Sequence, residues 1–301
     1  MEKTVVVRNS KVSQQPALIF LHILKTGGIT LGNLLQRHYT AEERFATFPT
    51  VEYPEGRIGL FRALAPAERD RIRLLYGHMG FGAHESFGGR STYITILRDP
   101  VERVISRYYH DRREPSNHLY AEIQAGMDLR TYARYLAEAG QMDNLQTRMI
   151  SGNWENRGHG ACTPEMLEQA KDNMRSHFLL AGLTERFDEF YLMLCRAMGW
   201  RPRFYRRRNV TKKRPRQDEL PAETVAFIRE YNQYDSELYQ YARKRFLEEV
   251  RRQGTFFPYR VQWHQLRNAL NPQYMRLRSF SVRHYLRNFT REAAAVTIQE
   301  E

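Results

Sequence analysis

Short unbroken apolar runs alternate along this chain with longer stretches in which apolar residues return every three or four positions. The first run, ALIFLHI over residues 17–23, lacks polar alternation and predicts a strand buried on both faces. Beyond Lys25-Thr26-Gly27-Gly28, the residues Ile29, Leu31, Leu34 and Leu35 fall at helical spacing. A second unit predicts a strand over 92–97 that stops at Arg98-Asp99-Pro100, where Asp99 suits an N-cap and Pro100 a first helical position. A third predicts a strand at 178–180, a cap at Thr184 and a helix running to Met198. Helices are expected at 116–125, 129–139, 143–150 and 164–176, and again from about 221 to 250.

Strands alternating with helices predict an α/β fold: a P-loop-type parallel sheet flanked by helices, occupying residues 1–250. The pattern changes after that. Residues 251–291 hold nine arginines, no lysine and no acidic residue, interleaved with aromatics as in RVQWHQLRNAL. A basic, aromatic helical extension over 251–301 is expected on or near the main domain. Two readings of it stay open: a solvated face packed by its aromatics, or a surface for anions or an acidic membrane.

With 301 residues and 42% hydrophobic content the chain is long and apolar enough to bury a full core. Lys and Arg number 47 against 34 Asp and Glu, a formal charge of +13, so partners carrying phosphate, sulfate or other negative charge are favoured. Cys162 and Cys195 stand far apart without a CxxC or a ligand cluster, which argues against a disulfide framework or zinc site and leaves one pairing open. No HExxH or comparable spacing is present, so no metal is expected. The first residues, MEKTVVVRNSKVSQQPALIF, read as neither a signal peptide nor a span, and the expectation is a cytoplasmic protein with peripheral membrane contact at most.

A glycine turn entering a helix points backbone N–H groups at whatever anion sits there. In a nucleotide P-loop, GxxxxGK[ST], the lysine follows the last glycine; here Lys25 precedes Gly27 and Gly28, with Thr26 and Thr30 beside them. Arg98 stands at the end of the second strand and Ser106 two turns into the next helix, an arrangement suited to clamping a second oxyanion. Two anion sites on adjoining strand ends imply a ligand with two separated phosphate-like groups.

FLHILKTGGITL together with YITILRDPVERVISRYYH resembles the paired signatures of the membrane-type (family-2) carbohydrate sulfotransferases, the group that includes heparan sulfate 2-O-sulfotransferase and bacterial relatives. YGHMGFG, DNLQTRMISG, LAGLTERFDEF and NVTKKRP resemble further family segments in the same order. Leu24 departs from the family's proline and Ile29 from its threonine. The eukaryotic members carry a membrane anchor, which is not read here and points to a bacterial-type relative.

The resemblance implies 3′-phosphoadenosine 5′-phosphosulfate (PAPS) as co-substrate and a carbohydrate or glycoconjugate hydroxyl as acceptor. It implies that Lys25, Thr26, Gly27, Gly28 and Thr30 hold the 5′-phosphosulfate, with Lys25 neutralising the leaving phosphate, and that Arg98 and Ser106 hold the 3′-phosphate. His78 matches the second histidine of the family's HGH base pattern, Tyr76 occupying the first histidine's place, and His84 and Glu85 are the reserve. Thr211, Lys212 and Lys213 correspond to a loop closing on the nucleotide, and Asn144, Gln146 and Arg148 to the acceptor side. Other histidines, His22 included, are expected to be structural. Two alternatives stay open: a P-loop kinase or nucleoside triphosphatase, and a basic nucleic-acid-binding protein, the latter disfavoured because it leaves both anion loops unexplained.

Overall fold

The computed structural model describes residues 15–53, 56–154, 160–205 and 215–270. The chain runs β1 (Ala17–Leu21), α1 (Gly28–Leu35), β2 (Arg44–Ala46), α2 (Ile58–Ala63), α3 (Pro66–Arg71), β3 (Leu74–Gly77), β4 (Ser91–Leu97) and α4 (Pro100–Asp111). It continues through α5 (Tyr120–Gln124), α6 (Leu129–Glu138), α7 (Leu145–Ser151), α8 (Pro164–Ser176), β5 (Phe178–Leu183), α9 (Phe187–Ala197), α10 (Ala222–Glu230), α11 (Gln233–Arg252) and α12 (Phe257–Leu270). All strand pairings are parallel, and the order across the sheet is β2-β3-β1-β4-β5. The expected helix-flanked parallel sheet is therefore the architecture.

Every residue of β1 is buried. Because successive side chains point to opposite faces, a wholly buried strand means that both faces of the sheet are covered. Leu18, Ile19, Phe20 and Leu21 join β3, β4 and α9 residues in one apolar core, each contributing about 1.5–3 kcal/mol by leaving water. A second cluster, built from Val101, Val104, Ile105 and Tyr108 of α4 with Tyr132, Leu136 and Ile228, gathers α4, α6 and α10. Asp99 accepts from the backbone N–H groups of Val101 and Glu102, the cap its sequence position predicts.

Some boundaries move. The helix expected at 116–125 forms only over α5, because Asn117 turns the preceding chain by accepting from the Leu119 N–H. Strand β2 carries no apolar run; Arg44–Ala46 is recruited by pairing with Leu74–Tyr76. Helix α11 runs through residue 250 to Arg252, and α12 then packs Phe257, Val261 and His264 inward beside α9. Cys162 and Cys195 are both buried as free thiols. Among the described residues, no helix is long and apolar enough to cross a membrane.

Sheet and α9 meet at Gly182 of β5, where an added Cβ would stand 2.3 Å from Phe190 Cδ2. Gly182→Ala is expected to cost about 1–3 kcal/mol through overpacking, read as a lower urea midpoint with an unchanged slope.

Candidate anion-binding and proton-transfer site

In a parallel sheet all strand carboxyl ends lie along one edge, and a crevice opens where the chain switches direction across the sheet. Here that point is β1, with β3 on one side and β4 on the other. The edge carries the loop of Lys25 after β1, His78 after β3, Arg98 after β4 and Thr184 after β5.

The loop's backbone is unusual at Lys25, whose φ is 68°, a left-handed conformation that costs a residue with a Cβ about 1 kcal/mol or more. Gly27, at φ 88°, enters α1. Gly28 serves a different end: a Cβ there would fall 1.9 Å from His22 Cδ2, so the second glycine makes room for an imidazole beneath the helix start. Thr26 donates its hydroxyl to the Ile23 carbonyl at 2.8 Å, closing the turn. Thr184 Oγ1 bonds both the Thr26 and the Leu97 carbonyls, at 2.7 and 3.1 Å, tying the loop to β4. Thr184 was expected to cap a helix; instead a 3₁₀ turn intervenes and α9 begins after Arg186, leaving the hydroxyl to bridge two strand ends. At the start of α1 the Thr30 N–H donates to the Gly27 carbonyl at 3.1 Å, and a helix start of this kind carries partial positive charge.

Around Lys25 stand Arg98, Arg107 and Arg113, with Asp111 as the opposing carboxylate. Burial pushes the Lys25 ammonium down to about 8; Asp111 draws it up, and the three guanidinium groups press it down further. A unit anion at about 4 Å, at an effective dielectric of about 20, contributes about 4 kcal/mol, several times the roughly 1.4 kcal/mol of one pKa unit. Anion binding would thus raise the Lys25 value and extend the ammonium form to higher pH.

Arg98 spans this opening. Its guanidinium donates to the Lys25 carbonyl at 3.1 Å and to Glu102 at 3.2 Å, and Ser106 lies one turn beyond Glu102 on α4. Its backbone is clasped by Gln146, which accepts from Arg98 N–H at 3.0 Å and donates to the Arg98 carbonyl at 2.9 Å. Gln146 is itself held by Asp235 of α11, whose carboxylate accepts from the N–H groups of Gln146 and Thr147 and from the Thr147 hydroxyl.

His78 closes the other side. Its Nδ1 lies 2.7 Å from the His22 carbonyl, which can only accept, so Nδ1 carries the proton and Nε2 of the neutral ring is left unprotonated, able to accept one. The ring meets Phe48 edge-on at 5.0 Å and tilts over the His22 ring at 4.7 Å. Burial pushes His78 down to about 4, against the raising effect of its backbone bond. His22 is held well below the ordinary histidine value, first by burial and then by His78 and Lys25.

Lys25, Thr26, Gly27, Gly28, Thr30, Arg98 and His78 therefore share one edge region, and Ser106 stands in the second turn of the helix that follows Arg98. Asn144, Gln146 and Arg148 are buried: Asn144 accepts from Asp235 N–H, and Arg148 donates to the carbonyls of Asp143, Trp154 and Gly140. Of the three, Gln146 supports Arg98 directly, while Asn144 and Arg148 brace α7 and the chain on either side of it. The reserve base His84 bonds Tyr93 Oη at 3.0 Å, and Tyr93 stands five residues before Arg98, about 16 Å back along β4. Thr211, Lys212 and Lys213 lie outside the described residues. His22, Glu102, Thr184 and Asp235 went unread as site residues; only His22 carried a signal, its place directly before the glycine loop. Among the described residues, no three His, Cys, Asp or Glu side chains converge as metal ligands.

A family model described as galactose-3-O-sulfotransferase matches residues 3–296. Heparan sulfate 2-O-sulfotransferase 1 of Mus musculus is 28% identical over 142 residues, covering 44% of this chain and 38% of that protein. Its Gallus gallus counterpart is 26% identical over 198 residues, covering 57% and 52%. The chain spans about half or less of the length of these curated relatives. Among solved structures, the sulfotransferase from Alicyclobacillus acidocaldarius overlaps at 12% identity with a TM-score of 0.41, covering 79% of this chain and 99% of that one. Mouse sulfotransferase SULT7A1 complexed with PAP overlaps at 12% identity with a TM-score of 0.35, covering 74% and 65%.

Gly28→Ala is expected to lower stability by about 1–3 kcal/mol, and the His22→Ala background to recover part of that loss, because the clash partner is gone. Protein melts of the single and double variants read this coupling. For pH, His78 folds neutral with its value near 4, below the ordinary 6.5. Between those values the unfolded chain binds a proton the folded one refuses, so stability falls as pH drops from about 6.5 towards 4. A His78→Phe variant should show a shallower acid decline in urea midpoints.

Proposed function

The chain belongs to the galactose-3-O-sulfotransferase family, and on that premise we propose that it transfers the sulfuryl group of PAPS to a hydroxyl of a carbohydrate or glycoconjugate acceptor. The observation that carries the reading is the meeting, along one sheet edge, of a cation-ringed glycine loop and a histidine whose tautomer is set for proton abstraction.

Sulfuryl transfer, like phosphoryl transfer, passes through a loose in-line transition state in which negative charge builds on the leaving oxygen. In the proposed reaction the acceptor O–H gives its proton to His78 Nε2 while its oxygen forms the new S–O bond. The S–O bond to the 5′-phosphate breaks, and the electron pair it leaves is neutralised by Lys25 and by the N–H groups at the start of α1. Burial keeps His78 neutral near pH 7, as a base must be. Arg98 and Ser106 are assigned the 3′-phosphate. Arg98 is already oriented by Gln146, and the incoming phosphate shares its guanidinium with Glu102. Thr211, Lys212 and Lys213 are assigned to closing over the nucleotide.

Thermal stabilisation by 3′-phosphoadenosine 5′-phosphate, compared with 5′-ADP and Mg-ATP, tests the donor site. At about 100 times its dissociation constant a ligand stabilises by about 2.7 kcal/mol. Selective response to the 3′-phosphorylated nucleotide, weakened in Lys25→Ala and Arg98→Ala, is expected; preference for Mg-ATP would restore the kinase alternative. Because Lys25 titrates near 8 when unliganded, nucleotide affinity should fall as pH rises through that value, and this fall should vanish in Lys25→Ala. With donor binding established, His78→Ala should retain nucleotide affinity and lose about 100-fold or more in transfer to a panel of sugar acceptors.

A further inference from the structure

Eight large apolar side chains are exposed among the described residues, and five of them belong to one stretch: Phe256, Tyr259, Trp263, Leu266 and Leu270, at 74, 67, 60, 51 and 69% exposure. Their spacing of three, four, three and four residues places them on a single stripe of α12 and the turn before it. At about 100° per residue the five fall within an arc of about 80°, roughly 150° from the face that carries Phe257, Val261 and His264. That inner face is buried beside α9, and Arg267 lies 5.0 Å above the Phe204 ring. The helix is thus pinned by one side, and the stripe cannot turn into the core.

We propose that this outward face of α12 docks the protein on an anionic lipid surface. The stripe joins aromatic residues, which favour the boundary between water and hydrocarbon, to leucines that enter the acyl region. Arg260 and Arg267 flank it, within a stretch from 251 to 291 that has nine arginines and no carboxylate. That charge decides between occupants. Two copies of the chain meeting at this face would bring Arg260 and Arg267 of each together with no acid in α12 to pair them, whereas anionic headgroups complement them. Because Phe257, Val261 and His264 hold its inner face beside α9, α12 offers only its outer face and lies along the surface it meets. The inference stands apart from the sulfuryl-transfer reading.

The test is sedimentation of the full chain with vesicles of equal parts phosphatidylcholine and phosphatidylglycerol, or of phosphatidylcholine alone, at low and high salt. Binding to the mixed vesicles only, weakened by salt and accompanied by a blue shift of Trp263 emission, is expected; the shift is assigned by its loss in Trp263→Phe. The triple variant Phe256→Ser, Trp263→Ser, Leu266→Ser should melt as the parent does, since these side chains are exposed, and bind about tenfold less or weaker. Absence of binding to anionic vesicles overturns the proposal, as does binding that the triple variant leaves undiminished. Self-association abolished by the triple variant, without vesicle binding, would assign the stripe to a second copy. Trp263 emission already blue-shifted and shielded from acrylamide without vesicles would assign it to another segment of the same chain.

Discussion

The buried carboxylate of Asp235 is the constraint on which the site rests. A wholly buried charge is tolerated only when it is fully bonded, and Asp235 achieves this by capping α7 through Gln146 and Thr147, with Arg103 as its ionic neighbour at 3.9 Å. Capping fixes α7, α7 presents the Gln146 amide, and that amide clasps the backbone of Arg98. The position of the half-buried Arg98 is thus decided by a residue of α11, 137 positions later in the chain. Without this support the left-handed Lys25 carbonyl would have no fixed donor to meet.

From the other flank, β5 supplies the second restraint. The Thr184 hydroxyl reaches the carbonyls of two neighbouring strand ends, so the loops after β1 and β4 are held at a set spacing. The proposed donor, with phosphates on both its 3′ and 5′ oxygens, would need such a spacing, whereas a single anion would not. Fold and chemistry meet here: parallel pairing brings the loops to one edge, and side-chain bonds to backbone fix the distance between them.

What the sequence made legible follows from locality. The β1 run, the Asp99-Pro100 helix start and the length of α8 are written in adjacent residues, and the structure reproduces them. The resemblance to carbohydrate sulfotransferases likewise rested on contiguous motifs, and the family match over 3–296 agrees with it. Features that depend on distant partners were not readable. Strand β2 has a burial pattern set by its neighbour β3, Thr184 has two carbonyl acceptors far away in the chain, and Asp235 looks like any helix-start acid. The acceptor-side assignment of Asn144, Gln146 and Arg148 comes from the DNLQTRMISG resemblance alone; the bonds of Gln146 and Arg148 to backbone partners distant in sequence or buried could not be read from it.

His22 carries a further consequence. Its ring fills the space that Gly28 leaves open, lies tilted against His78, and through its own carbonyl holds the His78 Nδ1 proton. Glycine loop and His78 therefore share one contact residue: a substitution that displaces the His22 ring changes the room under the start of α1 and the seat of the His78 ring together.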